Sequence, residues 1–197
     1  MGTPSNITLA KPGESSQGIL QLSWIGLFAA GTVLSARLEI PHLPVPYTLQ
    51  TLMVLLAGAF LGPRNGMLSQ IAYVAAGSLG APVFAGGASG VAVLLGPTGG
   101  YLFSFPIAAA LAGYMVRKRH TLPWIALSMA AALAVVFTLG AAYLALVFTH
   151  RFSTALDAGV LIFSWWDLLK LSAASMIYFE AGKRWKTVPP RSGGDER

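Results

Sequence analysis

The sequence predicts an all-α integral membrane protein built as a bundle of six transmembrane helices. Three observations lead to this fold class. Of the 197 residues, 55% are hydrophobic and only 10% are charged, whereas soluble domains carry about 25% charged residues. The mean hydropathy of the chain is +0.65. Residues 65–116 contain no Asp, Glu, Lys or Arg, and most of the apolar stretches approach the length that a helix needs to cross a bilayer.

The apolar stretches divide the chain into one membrane domain and two polar tails. We expect residues 1–17, which are rich in Ser, Gly and Pro, to form a disordered cytoplasmic tail. Residues 18–186 form the six-helix membrane domain, and residues 187–197 form a second cytoplasmic tail. The six helical segments are predicted at 20–36, 47–61, 67–80, 101–116, 122–148 and 158–182.

Segment one carries small residues at helical spacing. Gly26 and Ala30 form one pair, and Thr32 and Ala36 form another. Small residues allow helix backbones to approach closely within a membrane. This face therefore packs either inside the fold or against a partner helix, and the sequence leaves both interpretations open.

The connections on either side of segment two have different chemistry. Residues 37–46 contain Pro41, Pro44 and Pro46, which forbid a regular helix and favour a stiff, extended loop. Residues 62–66, with the sequence Gly-Pro-Arg-Asn-Gly, predict a tight turn before segment three. Segment three is short for a full membrane span.

A glycine-rich stretch at 80–100 interrupts the apolar pattern. Gly at this density permits unusual backbone angles and a close approach to a ligand. Irregular backbone at membrane depth survives only where protein buries it or water reaches it. We therefore expect a cap or re-entrant loop at the mouth of a pocket. It is not an ATP-binding loop, because a Walker A sequence needs a Lys and residues 65–116 contain none.

The distribution of basic residues predicts the orientation in the membrane. If both termini lie on one side, the opposite side receives only Arg37 and Arg151. The side with the termini receives Lys11, Arg64, Arg117, Lys118, Arg119, Lys183, Arg184, Lys186, Arg191 and Arg197. The positive-inside rule then places both termini in the cytoplasm, with the proline-rich and glycine-rich loops outside.

Segment six carries two charges in an apolar setting. Asp167 and Lys170 are three residues apart and share one helix face. Moving each into hydrocarbon costs roughly 2.5–3.5 kcal/mol. Three interpretations are open: a salt bridge that stabilises the bundle, a pair that also binds a polar ligand, and a relay for protons or ions. We favour the pair that also binds a ligand. Phe163 and Trp166 flank the pair on the same helix, as packing or as ligand contacts.

A further polar residue, Gln50, lies in the otherwise apolar segment two. It predicts either an interhelical hydrogen bond or a ligand contact.

Several classes of function find little support. The chain has no Cys, and its three His are far apart in sequence, so we expect no metal site and no cofactor. The net charge of +6 comes from Lys and Arg beside the apolar segments, which indicates topology signals rather than nucleic-acid binding. No nucleophile motif is present, so a membrane enzyme using Asp167 is a minor alternative. A pore is another minor alternative, although a single ion pair is a poor path for conducting ions.

A set of motifs resembles the BioY family, the biotin-specific S components of energy-coupling factor (ECF) transporters. The resemblance covers roughly residues 25–182. The motifs occur in the order Pro44–Thr51, Leu56–Gly58, Leu61–Gly66, Gly80–Phe84, Gly96–Leu102 and Asp167-x-x-Lys170.

The resemblance implies a six-helix bundle that binds biotin from outside and is not itself an enzyme. It implies partners: an ECF transmembrane subunit and two ATP-binding subunits, all at the bacterial inner membrane. Asp167 and Lys170 match family positions that contact biotin, and Lys170 meets either the ureido oxygen or the valerate carboxylate. The expected substrate-binding set is Asp167, Lys170, Trp166, Gln50, Phe84 and Tyr101. An S component for another vitamin-like solute is the alternative.

The sequence departs from the family pattern in two places. S components often show Ala-x-x-x-Ala on the first helix, where the partner docks. Here Val33 follows Ala29 at that spacing, and Leu34 follows Ala30. Some relatives also use an Arg after the third helix, and residues 65–116 contain no Arg.

Overall fold

A computed structural model describes residues 14–41, 45–149 and 165–185, and these residues are mostly helical. The helices are α1 (Glu14–Arg37), α2 (Gln50–Ser78), α3 (Val91–Leu94), α4 (Gly99–Val116), α5 (Leu122–Leu144) and α6 (Trp165–Trp185). Strands β1 (Glu39–Ile40) and β2 (Tyr47–Thr48) form an antiparallel hairpin, with Glu39 opposite Thr48. A 3₁₀ turn covers Ala85–Gly87, and a π-helical turn covers Ala145–Thr149.

Within these described ranges, four helices are long and apolar enough to cross a membrane. They are Gln17–Arg37, Gln50–Ser78, Gly99–Val116 and Leu122–Val147. The prediction of an all-helical membrane fold is confirmed at this level. Residues 158–164 of the predicted sixth segment lie outside the described part of the chain, as do residues 1–13 and 187–197 of the tails. Residues 14–17, predicted as tail, already belong to α1.

Helix α2 reverses direction at Gly62. This residue has φ 81° and ψ −179°, far from helical values. A Cβ atom on Gly66 would lie 2.7 Å from the Cα atom of Gly58, although residues eight positions apart in a straight helix are about 12 Å apart. Residues 50–61 and 63–78 are therefore two limbs of a helical hairpin. The predicted turn is in the right place, but its extent is wrong, because the helix resumes at Pro63, where proline fits a first turn.

Small residues bring the limbs of α2 close to α4. A Cβ atom on Gly58 would lie 2.1 Å from the carbonyl oxygen of Ala109, and one on Gly113 would lie 2.5 Å from that of Gly58. Such contacts between backbones are typical of helix packing in membranes. Helix α4 also packs on α5, and α6 packs on α5 and α2.

Helix α1 packs on α2 through one of its two predicted pairs of small residues. Thr32 and Ala36 are buried, whereas Gly26 and Ala30 are exposed. The Thr32 hydroxyl accepts a hydrogen bond of 3.2 Å from Gln70 Nε2. The pair at 32 and 36 thus serves packing inside the fold.

The two irregular connections lie against each other. The side chain of Arg37, at the end of α1, donates a hydrogen bond to the carbonyl oxygen of Pro82. A Cβ atom on Gly87, which has φ 78°, would lie 2.7 Å from the nearest nitrogen of this guanidinium. The proline-rich connection contains the strands β1 and β2, and the glycine-rich connection contains the 3₁₀ turn and α3.

Candidate functional site

One cavity lies among the hairpin, the glycine-rich connection and four helices. Its volume is about 250 Å³. Its wall is mostly apolar, with a few polar side chains, as is usual in sites for small organic ligands. The lining residues are Val45, Pro46, Tyr47, Thr48, Gln50, Thr51, Phe84, Ala85, Ala88, Val93, Thr98, Tyr101, Leu102, Phe105, Val136, Phe137, Asp167 and Lys170.

The two charges of α6 meet in this cavity. Lys170 Nζ lies 2.5 Å from Asp167 Oδ1, and the side chains are only 5% and 1% exposed. The spacing of three residues brings both onto one face of the helix, as predicted. A buried pair of opposite charges is nearly neutral as a unit, yet it presents an acceptor beside a donor.

Lys170 has a second partner on the hairpin. Its ammonium donates a hydrogen bond of 3.1 Å to the backbone carbonyl oxygen of Thr48. The lysine therefore connects α6 to the end of β2, immediately before α2 begins.

Gln50 makes the predicted hydrogen bond between helical segments, and its role as a ligand contact stays a prediction. Its Nε2 donates to the Tyr73 hydroxyl at 3.0 Å, which joins the two limbs of α2. The Tyr73 hydroxyl in turn donates to the carbonyl oxygen of Val83 at 3.3 Å. Because Gln50 also lines the cavity, the hydrogen bond fixes its side chain at the wall.

Phe84 forms a rigid part of the wall. It is 1% exposed, and its ring packs edge-on against Tyr73, with the ring centroids 5.6 Å apart. The other side of the ring lies on Gly77, where a Cβ atom would be 2.1 Å from Cζ. Only a glycine leaves room for the ring at this place.

Tyr101 lies on the first turn of α4, and its ring packs on Gly140 of α5. A Cβ atom on Gly140 would lie 2.3 Å from Cε1 of the ring. Among the described residues, neither the Tyr101 hydroxyl nor the Thr51 hydroxyl has a hydrogen-bond partner, although both oxygens are buried. Both residues line the cavity.

Of the six residues predicted to bind substrate, Trp166 is the one that the structure leaves out of the cavity wall. It is half-buried beside Asp167. Phe163, its predicted neighbour on the helix face, lies outside the described residues. The other five, namely Asp167, Lys170, Gln50, Phe84 and Tyr101, line the cavity together, and their role in binding stays a prediction.

Sequence reasoning missed other wall residues. Thr51 directly follows Gln50 in the Pro44–Thr51 motif, so its position was a usable signal. Val136 and Phe137 of α5 stand in a long apolar segment and are indistinguishable there from residues that face lipid.

The site offers hydrogen bonding and one ion pair rather than metal chemistry. Within the described ranges, no group of three or more His, Asp or Glu side chains is placed to hold a metal ion. The arrangement suits a small, mostly apolar molecule with polar groups that both donate and accept.

The fold and this cavity define a helical membrane protein with a mostly apolar site for a small molecule. A solved structure, described as the S component for biotin from an ECF-type ABC transporter, matches with a TM-score of 0.81 and 24% identity, over 92% of this chain and 100% of that one. The sequence model of the BioY family matches residues 9–187. The chain therefore belongs to the BioY family, and the resemblance inferred from the motifs is confirmed.

Two relatives show the extent of the similarity. The biotin transporter BioY of Thermotoga maritima is 40% identical over 157 residues, which are 80% of this chain and 92% of the relative. The probable biotin transporter BioY of Pyrococcus horikoshii is also 40% identical over 157 residues, which are 80% of this chain and 93% of the relative.

Proposed function

We propose that this chain is the biotin-binding subunit of a biotin uptake system. The observation that carries the proposal is the buried Asp167–Lys170 pair at the wall of an otherwise mostly apolar cavity, in a chain of the BioY family. The relatives named above are biotin transporters, which supports a transport subunit rather than an enzyme.

The pair matches the ureido ring of biotin. An ionised Asp167 can only accept hydrogen bonds, and the ureido N–H groups are the donors that biotin offers at neutral pH. Lys170 can only donate, and the ureido oxygen accepts. A carboxylate at this place would lie close to Asp167 as well as Lys170, and two like charges at short range in a poorly solvated site repel. The pair therefore binds the ureido end.

The first test is calorimetric titration of biotin into the detergent-purified chain without any other subunit. Tight, one-to-one binding is expected. Asp167→Asn should abolish it, because Lys170 would hold the single amide oxygen and leave the NH2 group facing the ureido donors, which need an acceptor. Glu180→Gln, an exposed acid on the same helix, serves as the matched control and should bind normally. No binding by the wild-type chain, or full affinity in Asp167→Asn, would contradict the proposal.

The identity of the solute needs its own test. Analogues with an altered ureido group should lose affinity, because the proposed contacts are made there. If a different vitamin binds more tightly than biotin in the same titration, the chain is an S component for that solute.

We further propose that six helical crossings place both termini in the cytoplasm of a bacterial inner membrane. The two limbs of α2 account for two of the crossings, and the charge distribution supports the orientation. The chain has no Cys, so single cysteines report accessibility directly. Leu38→Cys should react with a membrane-impermeant thiol reagent in intact cells, and Arg119→Cys only after permeabilisation. The reverse pattern would overturn the orientation.

Energised uptake requires partners, because no Walker A sequence is present in the chain. We propose an ECF transmembrane subunit with two ATP-binding subunits. Proteoliposomes holding this chain with such a module should accumulate biotin only when ATP is supplied. Equal accumulation by the chain alone would show that the module is not required.

A further inference from the structure

The hydroxyl of Tyr101 is a buried polar group without a partner. Tyr101 is 7% exposed, and its hydroxyl oxygen makes no hydrogen bond within the described part of the chain. Buried hydroxyls are nearly always bonded, since an unmade hydrogen bond destabilises the folded state. The side chain of Tyr101 also lines the cavity, so a ligand bound against it is a candidate partner for the hydroxyl.

The ring is held so that the hydroxyl has little freedom to turn elsewhere. It packs on the backbone of Gly140, where an added Cβ atom would lie 2.3 Å from Cε1, 2.4 Å from Cδ1 and 2.5 Å from Cζ. Any larger residue at position 140 would displace the ring. Gly140 is therefore a positioning residue for Tyr101.

The hydroxyl and the ion pair belong to different walls of the cavity. Helix α4, which carries Tyr101, packs on α2 and α5, and α6, which carries Asp167 and Lys170, packs on the same two helices. The cavity thus lies between α4 on one side and α6 on the other. A ligand that fills it meets polar groups from both α4 and α6, with Phe84 and Phe105 among the apolar residues of the lining.

We propose that the Tyr101 hydroxyl, positioned by Gly140, donates a hydrogen bond to the valerate carboxylate of biotin. This inference rests on the proposed function. If the ureido ring occupies the ion pair, the carboxylate must lie elsewhere in the cavity, and Tyr101 supplies a neutral donor there. The site would then bind the carboxylate through a neutral hydroxyl group instead of a second cation.

The test compares two ligands against two tyrosine variants. Tyr101→Phe keeps the ring and removes only the hydroxyl, so it should weaken biotin binding roughly 10- to 100-fold. It should change the affinity for biotin methyl ester much less, since the ester has no charged acceptor. Tyr114→Phe makes the same change at an exposed tyrosine on the same helix, and it should affect neither ligand. Unchanged biotin affinity in Tyr101→Phe, or equal losses for biotin and its ester, would overturn the inference.

Gly140→Ala tests the positioning role. It should weaken biotin binding in the native chain and add little in a chain that already carries Tyr101→Phe, because both changes remove the same contact. Additive losses would overturn the role of Gly140. A native chain that fails to bind biotin at all would instead overturn the proposed function, whereas normal binding with an insensitive Tyr101→Phe removes only this inference.

Discussion

The ammonium of Lys170 donates to the backbone carbonyl oxygen of Thr48 at 3.1 Å, across 122 positions of the chain. This bond connects α6 to the hairpin beside the cavity. The same ammonium also pairs with Asp167 at 2.5 Å, so one side chain links the ion pair to the backbone of the hairpin. A ligand that engages Lys170 therefore acts on a group that also holds the hairpin.

The first prediction concerns the hairpin. Replacing Lys170 by Met together with Asp167→Asn removes the bond to Thr48 without leaving a lone buried charge. Amide hydrogen exchange at Leu49, whose N–H bonds the Leu38 carbonyl oxygen at 3.3 Å, should then become about tenfold faster. Lys118→Met, at an exposed lysine over the Tyr114 ring, is the control and should leave Leu49 protected. Equal protection in the double variant and the native chain would show that Lys170 does not hold the hairpin.

The ion pair illustrates how much the sequence alone could predict. Charged residues are so unfavourable in an apolar helix that Asp167 and Lys170 indicate a candidate site from the sequence alone, and helical spacing places them on one face. The hydrogen bond from Lys170 to Thr48 was not predictable, because no local rule relates the end of a short strand to a helix far along the chain.

The walls of the cavity contain residues whose importance the sequence alone does not predict. Family motifs predict Phe84 and Tyr101 as site residues, but no motif indicates Gly77 and Gly140, the glycines against which their rings pack. Their importance depends on which ring packs against which backbone, and that is a property of tertiary structure. Gly62 was recognised as a turn residue, but only its φ value shows that the break is confined to a single position.

The second prediction concerns Gly77. A Cβ atom there would lie 2.1 Å from Cζ of Phe84, so Gly77→Ala must displace the ring from the cavity wall. Overpacking of this kind costs typically 1–3 kcal/mol. The thermal midpoint of the detergent-purified protein should fall, and biotin affinity should fall with it. Gly26→Ala is the matched control, because nothing lies within 4 Å of the added atom. A neutral Gly77→Ala would mean that Phe84 has space to move.

The third prediction concerns the support of Gln50. Tyr73→Phe removes the hydroxyl that accepts from Gln50 Nε2 at 3.0 Å and leaves a buried amide group unsatisfied. The expected loss of stability is about 1–3 kcal/mol. Biotin affinity should also decrease, since Gln50 loses the contact that fixes it at the cavity. Thermal unfolding and calorimetry measure the two effects, and Tyr114→Phe is again the control. Unchanged stability would show that Gln50 finds another partner.

The fourth prediction concerns the reversal of α2. Gly62 has φ 81° and ψ −179°, a region that only glycine adopts readily and that costs other residues on the order of 1–3 kcal/mol. A Cβ atom at this place would also lie against the Arg117 guanidinium, so Gly62→Ala combines backbone strain with a steric clash.

Two further variants separate the effect of the backbone strain at Gly62 from the effect of the steric clash with Arg117. Gly80→Ala introduces a residue at φ 103° where nothing lies within 4 Å, so it reports strain without a clash. Gly62→Ala should lower the thermal midpoint more than Gly80→Ala does. Adding Arg117→Ala to Gly62→Ala should recover part of the difference, because the shortened side chain vacates the space while the strain remains. If Gly62→Ala is no worse than Gly80→Ala, the guanidinium moves aside without cost, and backbone strain alone explains why glycine occupies the reversal.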